Sequence, residues 1–547
     1  MALIEWWCSV LIFGAAALTW HYMDVHKGRS ALRHIPGPPS ESFLKGNVTQ
    51  FFSRYGTNFQ RHVAFDFGPV VRLNGMFGRS MLYVSDPKAL HTIMIKEEPI
   101  FQEANWFISL NDLLFGRGLL STLGDKHRKQ RKLLNPAFSV AHMRHIIPIF
   151  YHVVHKLRDG VKNQIKNGAE EIDMLSWMGR TALELIGQGG LGYSFDPLTE
   201  EAHNEDGHAL KVLFPNLANL AIARLMLPYL IKIGPAAFRR FIVNLIPHQD
   251  VQRVKYIVDT MNSRSREIFA KKKAALLKGN EAILQQVGSG KDIMSILMRA
   301  NTITSGDDRL PEDELVAQMS MLVFAATDTT SNTLARILQN LAEHSDVQDK
   351  ARAEIMEANA GEDISYDSLD QLPLLDAICR ETLRLYPPAE FITRTANKDT
   401  IVPLSEPIVG NGGKMIGEIP IVKGTEVIIG VLGCNASKEL WGEDAREWKP
   451  ERWLSTLPKM VTKNTIPGVY ANLMTFAGGK RACIGFKFSE MEMKVVLAVL
   501  LSNFTFELTD KPIEWNTAAV RYPTVGKVSN KPQLPLKVRL LEDANAT

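Results

Sequence analysis

A single cysteine, Cys483, lies in a segment whose residue types favour a reactive thiolate. Glycines flank it in the stretch 476–485, FAGGKRACIG, and they allow the backbone to turn tightly and to approach a flat group closely. Apolar residues recur at helical spacing from Phe488 onward, which predicts a helix that begins near the cysteine. Helix N-terminal amides and the charge of Arg481 both favour the thiolate. The segment is therefore a candidate site for thiolate chemistry.

The remaining cysteines do not suggest a second thiolate site. The chain has four cysteines, Cys8, Cys379, Cys434 and Cys483, and no two of them form a C-x-x-C pair. A zinc site with several thiolates and a disulfide framework are both unexpected for this pattern. If a cysteine has a chemical role here, it acts alone.

Two further segments carry residues with chemical potential. In the stretch 325–330, AATDTT, Asp328 and Thr329 combine an acid with a hydroxyl, and such a pair in a loosened helix turn can hold water and relay protons. Glu381 and Arg384 lie three positions apart, which places both charges on one helix face. Alone, such a pair is usually a surface salt bridge.

Together these segments resemble the cytochrome P450 haem-thiolate enzymes. The stretch 476–485 fills every fixed position of the pattern F-x-x-G-x-R-x-C-x-G, and ETLR at 381–384 matches the family's E-x-x-R motif. PERW at 450–453 resembles the segment whose arginine joins that pair, with Trp453 where Phe is commoner. The stretch 325–330 resembles A-G-x-D-T-T, with Ala326 where glycine is usual. The resemblance covers essentially the whole chain and is greatest to fungal microsomal members.

The resemblance implies a role for each matching residue. Cys483 would be the axial thiolate ligand of haem b, and Asp328 and Thr329 would be catalytic residues that deliver protons for oxygen activation. His127 takes the place of Trp in the family's W-x-x-x-R helix. The residues that the resemblance assigns to haem binding are His127, Arg131, Arg394, Phe476, Arg481 and Cys483. Those assigned to a buried supporting triad are Glu381, Arg384 and Arg452.

The elements that must position these residues are mainly helical. Helical patterns dominate from 126 to 345, while strand patterns occur at 70–84, as a hairpin, at 400–431 and at 504–508. The regular alternation of strands and helices that a doubly wound sheet needs is missing. We therefore expect a mainly α fold with small β-sheets, which the resemblance identifies as the cytochrome P450 fold.

One unusually apolar stretch, 213–247, allows two interpretations. It contains several prolines, which interrupt it too often for a helix that spans a membrane. The stretch forms either core helices or a mobile lid that dips into lipid and admits apolar substrates.

The N-terminal residues predict a membrane anchor. The run 6–22 is apolar and flanked by aromatic residues, and Lys27, Arg29 and Arg33 follow it. Because Glu5 precedes the run, the charge pattern is opposite to that of a cleaved signal peptide and predicts a cytosolic C-terminal side. The predicted organisation is an anchor at 1–23, a basic and proline-rich linker at 24–40 and a catalytic domain at 41–547. By resemblance, the location would be the endoplasmic reticulum membrane, with a single pass.

Composition limits the range of partners. Hydrophobic residues make up 45% of the chain and charged residues 22%, which is ordinary for a globular protein. The formal charge of +4 gives no argument for nucleic acid as a partner. The segment after Cys483 is shorter than a flavin domain of about 100 residues. The resemblance therefore implies a separate NADPH-dependent reductase, together with a lipid bilayer and a lipophilic substrate.

The predicted activity is that of a monooxygenase that inserts one oxygen atom from O2 into a lipophilic organic substrate. A terpenoid or another fungal secondary metabolite fits this expectation, and NADPH would act indirectly, through the reductase. One alternative is a haem-thiolate isomerase or dehydratase that works without a reductase, although such enzymes do not need the pair Asp328 and Thr329. A second alternative is a haem-binding protein without catalytic activity.

Overall fold

The computed structural model describes residues 28, 31–199, 213, 216–217, 220–279, 290–304, 306–358, 363–463 and 466–541. The predicted anchor at 1–23 and part of the predicted linker at 24–40 lie outside these ranges. Within the described ranges, no helix is both long and apolar enough to cross a membrane. The anchor stays a prediction.

Helices account for most of the regular structure, as the sequence predicts. In chain order they are α1 Val48–Phe52, α2 Thr57–Asp66, α3 Pro87–His91, α4 Asn105–Phe115, α5 Gly124–Leu134, α6 Val140–Lys166, α7 Met174–Leu185, α8 Ala221–Leu230, α9 Ala236–Leu245, α10 Gln249–Lys278, α11 Ile293–Ile303, α12 Glu312–Glu343, α13 Ser345–Ala358, α14 Tyr366–Asp370, α15 Pro373–Leu385, α16 Val431–Asn435, α17 Lys438–Trp441, α18 Lys459–Lys463 and α19 Phe486–Leu501.

The strands are short and form small sheets, which confirms the predicted fold class. In chain order they are β1 Val70–Asn74, β2 Ser80–Val84, β3 Phe101–Gln102, β4 Glu171–Asp173, β5 Phe391–Ala396, β6 Thr400–Val409, β7 Met415–Ile421, β8 Glu426–Gly430, β9 Gly468–Tyr470, β10 Leu473–Gly478, β11 Phe504–Leu508, β12 Ile513–Asn516, β13 Tyr522–Val525 and β14 Pro535–Leu540.

The chain divides into two compact units. The first, called here the sheet unit, comprises the residues up to Ala104, Phe391–Ala445 and Lys459–Arg481. The second, the helical unit, comprises Asn105–Glu390, Arg446–Pro458 and the residues from Ala482 onward.

A five-stranded sheet organises the sheet unit, in the order β1-β2-β8-β5-β3. The predicted hairpin is its first pair, in which Val70 lies opposite Val84 and Asn74 opposite Ser80. Side chains alternate between the two faces of a strand, and Val71, Leu73, Met81 and Tyr83 lie in one buried core cluster. Phe51, Val63 and Ile428 belong to the same cluster.

The long helix α12 is buried along most of its length in the helical unit. It begins directly after Pro311, and its first turn contains Glu312, Asp313 and Glu314, whose charges complement the helix dipole. Helix α15 begins with Pro373, a residue preorganised for the first helical turn. It ends before Pro387 and Pro388, whose rings disfavour helix in the preceding residues.

The apolar stretch 213–247 is exposed over most of its described length. Leu213 and Leu217 are buried, but no residue of α9 is buried. Large apolar side chains exposed to solvent include Tyr229, Phe241 and Leu245. The interpretation as core helices is therefore wrong for α9, because its apolar residues are not covered by the described part of the protein.

Candidate active site

Cys483 lies between a short 3-10 turn, Gly479–Arg481, and the start of α19. Its side chain is exposed, whereas Cys379 and Cys434 are buried. The surrounding protein nevertheless raises the pKa of the Cys483 thiol by desolvation, against the opposing effects of the Gly485 amide and the Arg131 charge. The exposed thiol can reach a ligand, and a bound metal ion would hold it as thiolate.

The two glycines before the cysteine are needed where the chain approaches itself. A Cβ at Gly478 would lie 1.7 Å from the carbonyl oxygen of Pro467. One at Gly479 would lie 2.3 Å from that of Met94, and its φ is +69°. The sequence analysis explained these glycines by a close approach of the backbone to a flat group. The contacts with the protein's own backbone are a second reason why glycine is needed here.

Arg131 and His127 lie one turn apart on α5, in the helical unit. Nη1 of Arg131 donates to the carbonyl oxygen of Ala482 at 2.6 Å. His127 is buried, whereas Arg128 and Lys132 of the same helix are exposed. The inward face of α5 thus carries the two residues assigned to haem binding, and the outward face carries other basic residues.

In the sheet unit, two other predicted haem-binding residues share one carboxylate. Oε1 of Glu103 lies 2.6 Å from Nε of Arg481 and 3.4 Å from Nη2 of Arg394. Burial alone would raise the pKa of Glu103, but the charges of Arg394 and Arg481 lower it below its usual range. Burial also lowers the pKa of Arg394, and Glu103 counters that effect.

Phe476, the remaining residue assigned to haem binding, lies in β10. Its ring packs edge-on against Tyr470, with 5.4 Å between the ring centroids. Tyr470 is the last residue of β9, the partner strand of β10. The hairpin β9–β10 therefore fixes the orientation of this phenyl ring.

The helical unit brings Glu381, Arg384 and Arg452 into one buried cluster. The guanidinium of Arg384 donates to both carboxylate oxygens of Glu381, each at 2.8 Å. Nε of Arg452 lies 3.4 Å from Oε1 of the same carboxylate. The indole Nε1 of Trp453 donates to Oε2 at 2.9 Å, and the Lys449 amide donates to Oε1 at 3.1 Å. One glutamate is therefore the acceptor at the centre of the cluster.

The centre of α12 has one partly exposed patch in an otherwise buried run. Between Glu314 and Ala335, the partly exposed residues are Phe324, Ala325, Ala326 and Thr329. The hydroxyl of Thr329 donates to the carbonyl oxygen of Ala325 at 2.7 Å, while Asp328 beside it is buried. Water or a small ligand can therefore reach the Thr329 oxygen at this patch.

A contact between hydroxyls joins α12 to the helix that follows the cysteine. The hydroxyl oxygens of Thr330 and Ser489 lie 3.2 Å apart, and Ser489 lies in the first turn of α19. The helix with the predicted proton relay is thereby held against the helix that starts next to Cys483.

The helical unit also contains an aromatic pair and a buried ion pair. The rings of Phe115 and Phe324 pack with 4.5 Å between centroids. Glu390 forms an ion pair with Arg521, with 2.5 Å between Oε1 and Nη1. Both residues of that pair are buried. The partner of Glu390 is thus a residue that the sequence did not indicate.

Several supporting residues escaped sequence reasoning. Glu103, Ser489 and Arg521 belong to no motif, and each contacts its partner across more than a hundred residues of chain. Trp453 was visible as the last residue of PERW, but its hydrogen bond to Glu381 was not.

Comparison with known proteins gives a consistent result. Residues 36–529 match the Cytochrome P450 family. Cytochrome P450 monooxygenase 81 of Postia placenta is 61% identical over 529 residues, which cover 97% of this chain and 97% of the relative. A ganoderic acid synthetase of Ganoderma lucidum is 47% identical over 538 residues, 97% of this chain and 98% of the relative.

Proposed function

The chain belongs to the cytochrome P450 family, and from this premise we propose that it is a haem-thiolate monooxygenase that transfers one oxygen atom from O2 to a lipophilic substrate. The observation that carries the proposal is the exposed thiol of Cys483, three residues before the start of α19. A haem held by the Cys483 thiolate would supply the chemistry that cleaves the O–O bond of O2. The protein's own residues would bind the haem, orient the substrate and supply the protons.

The donor set fits haem b. Cys483 offers one thiolate for the iron, and Arg131 and His127 of the helical unit offer N–H donors for carboxylates. Arg394 and Arg481 of the sheet unit are also proposed to donate hydrogen bonds to the haem carboxylates. Phe476 is proposed as an apolar contact of the haem. The Arg131 bond to the Ala482 carbonyl supports this assignment because it fixes an arginine next to the proposed ligand.

Asp328 and Thr329 are proposed to hold and pass protons. Because the Thr329 hydroxyl donates to Ala325, its lone pairs can accept a hydrogen bond from water at the exposed patch. Asp328, next to Thr329 in the sequence, is buried, and its carboxyl group would pass protons to that water. Ala326 in place of the usual glycine should narrow this patch without removing either group.

A fungal secondary metabolite, such as a terpenoid, is the proposed substrate class. The relative named ganoderic acid synthetase supports a role in such metabolism, and the packed rings of Phe115 and Phe324 beside the exposed patch support an apolar ligand. The position of oxidation follows from neither observation.

A membrane location and a separate NADPH-dependent reductase complete the proposal. The apolar run at 6–22 supports an anchor in the endoplasmic reticulum membrane, with the catalytic part on the cytosolic side. The uncovered apolar side chains of α8 and α9, such as Tyr229 and Phe241, support additional contact of this segment with lipid. The exposed basic residues Arg128 and Lys132 on α5 support docking of an acidic reductase surface.

Reconstitution tests this function. Microsomes that contain the protein and a fungal reductase are supplied with NADPH, O2 and a panel of terpenoids, and mass spectrometry measures the gain of one oxygen atom. We expect a product that carries 18O from 18O2 and requires NADPH. Product formation without NADPH and reductase would favour an isomerase or dehydratase. Bound haem without turnover of any compound would favour a non-catalytic haem protein.

A further inference from the structure

Three charged residues meet in the interior of the sheet unit. Glu103 accepts a hydrogen bond from Nε of Arg481 at 2.6 Å, and the same oxygen lies 3.4 Å from Nη2 of Arg394. Each of the three side chains is less than a tenth exposed. At this depth, charges interact more strongly than on the surface.

Sheet register places Glu103 in this position. Strands β3 and β5 are antiparallel, with Phe101 opposite Ala396 and Gln102 opposite Thr395. Glu103 follows directly after β3, and continuing this register by one residue leads to Arg394, which is consistent with the 3.4 Å between the two side chains. Arg481 then approaches the same carboxylate from the turn before Cys483.

Among these three residues, two guanidinium groups and one carboxylate leave one net positive charge. Glu98 also favours the charged form of Arg394, but less than Glu103 does, and Glu103 is the carboxylate that contacts both arginines. An uncompensated buried charge is strongly unfavourable. A guanidinium has five N–H donors, so one arginine can serve Glu103 and a second carboxylate at the same time.

We propose that Glu103 is the internal counterion and positioning residue for Arg394 and Arg481, and that it limits the positive charge these arginines present to the haem carboxylates. This inference rests on the proposed function. Glu103 itself contacts neither haem nor substrate in this assignment. It acts through the two arginines, by holding them together and by reducing their combined charge.

The consequence is a change in reduction potential. Reduction of ferric to ferrous haem adds one negative charge, so a nearby carboxylate disfavours it. In Glu103→Gln the amide oxygen can still accept from Arg481, but the negative charge is lost. The potential of the haem should therefore become more positive, an effect that a purely structural role of Glu103 would not produce.

The experiment is spectroelectrochemical titration of full-length, haem-bound protein in detergent. Glu443→Gln is the matched control, because it removes an exposed carboxylate of the same unit, which pairs with Lys438 at 2.6 Å. We expect a positive shift in Glu103→Gln that is several times the shift in Glu443→Gln. Equal shifts, or an unchanged potential in Glu103→Gln, would overturn the proposal.

A second variant covers loss of haem in Glu103→Gln. Glu103→Asp keeps the negative charge, so we expect it to retain haem with a potential close to that of the wild type, and a large shift in this variant would overturn the inference. The wild type separates this inference from the proposed function. Wild-type protein that binds no haem would overturn both the proposed function and this inference. If the wild type binds haem with a thiolate-type carbonyl spectrum but replacing Glu103 leaves the potential unchanged, only this inference is overturned.

Discussion

Arg131 donates to the carbonyl oxygen of Ala482 at 2.6 Å, one residue before the cysteine that is the proposed iron ligand. The bond connects α5 to the loop before α19, although the two residues are separated by most of the chain. An arginine assigned to haem binding therefore also fixes the backbone next to Cys483. Its removal should weaken haem binding and also loosen the loop that carries the cysteine.

Replacing this arginine should accelerate haem loss. Arg131→Ala removes the bond to Ala482 and a positive charge that favours the Cys483 thiolate, and we expect haem transfer to apomyoglobin to be about tenfold faster, which corresponds to about 1.4 kcal/mol. Arg128→Ala on the exposed face of the same helix is the control, and its haem transfer should match that of the wild type. Equal rates for both variants would contradict the role given to Arg131.

Replacing the cysteine should abolish the thiolate signature. Cys483→Ala leaves the iron without its proposed ligand, so the reduced carbonyl complex should lose its thiolate-type absorption spectrum. Cys434→Ala is the control, because that thiol is fully buried. It should lose some stability through a small cavity but keep the spectrum. A thiolate-type spectrum in Cys483→Ala would remove the central assignment.

Removal of one hydroxyl should uncouple electron supply from product formation. Thr329→Ala should retain haem but convert more NADPH to peroxide, because the partly exposed hydroxyl on α12 would no longer organise water. Thr327→Ala is a matched control, since its hydroxyl makes the same bond to the carbonyl four residues earlier, at 2.7 Å, but is buried. Peroxide formed per NADPH consumed is the measurement, and equal yields in the two variants would exclude the proposed relay.

Disruption of the buried triad should lower stability. Glu381→Gln leaves Arg384 and Arg452 without their shared carboxylate, and loss of one partner of a buried ion pair costs about 3–5 kcal/mol. The free energy of unfolding from urea titration measures this loss. Asp125→Asn, which affects an exposed pair with Arg128, should change it far less. Equal losses in the free energy of unfolding for the two variants would show that the buried cluster does not stabilise the fold.

Much of the site could be predicted from sequence because its signals are local. Gly485 and the apolar spacing after it predict the start of α19, observed at Phe486. Alternation of apolar and polar residues predicts a strand at 504–508, which is β11. Such patterns report the preferences of neighbouring residues along the chain.

The supporting contacts depend on where distant segments pack, which local preferences do not encode. Folding of the sheet unit brings Glu103 to Arg394 and Arg481. Folding of the helical unit brings Arg521 to Glu390 and Trp453 to Glu381. The sequence also did not predict whether α9 is exposed, because an apolar helix has the same sequence pattern whether or not other residues cover it. Residue types and their spacing were enough to propose which groups carry the chemistry. Tertiary packing alone decided which buried charges are paired, because a buried charge is stable only beside a partner that the fold delivers.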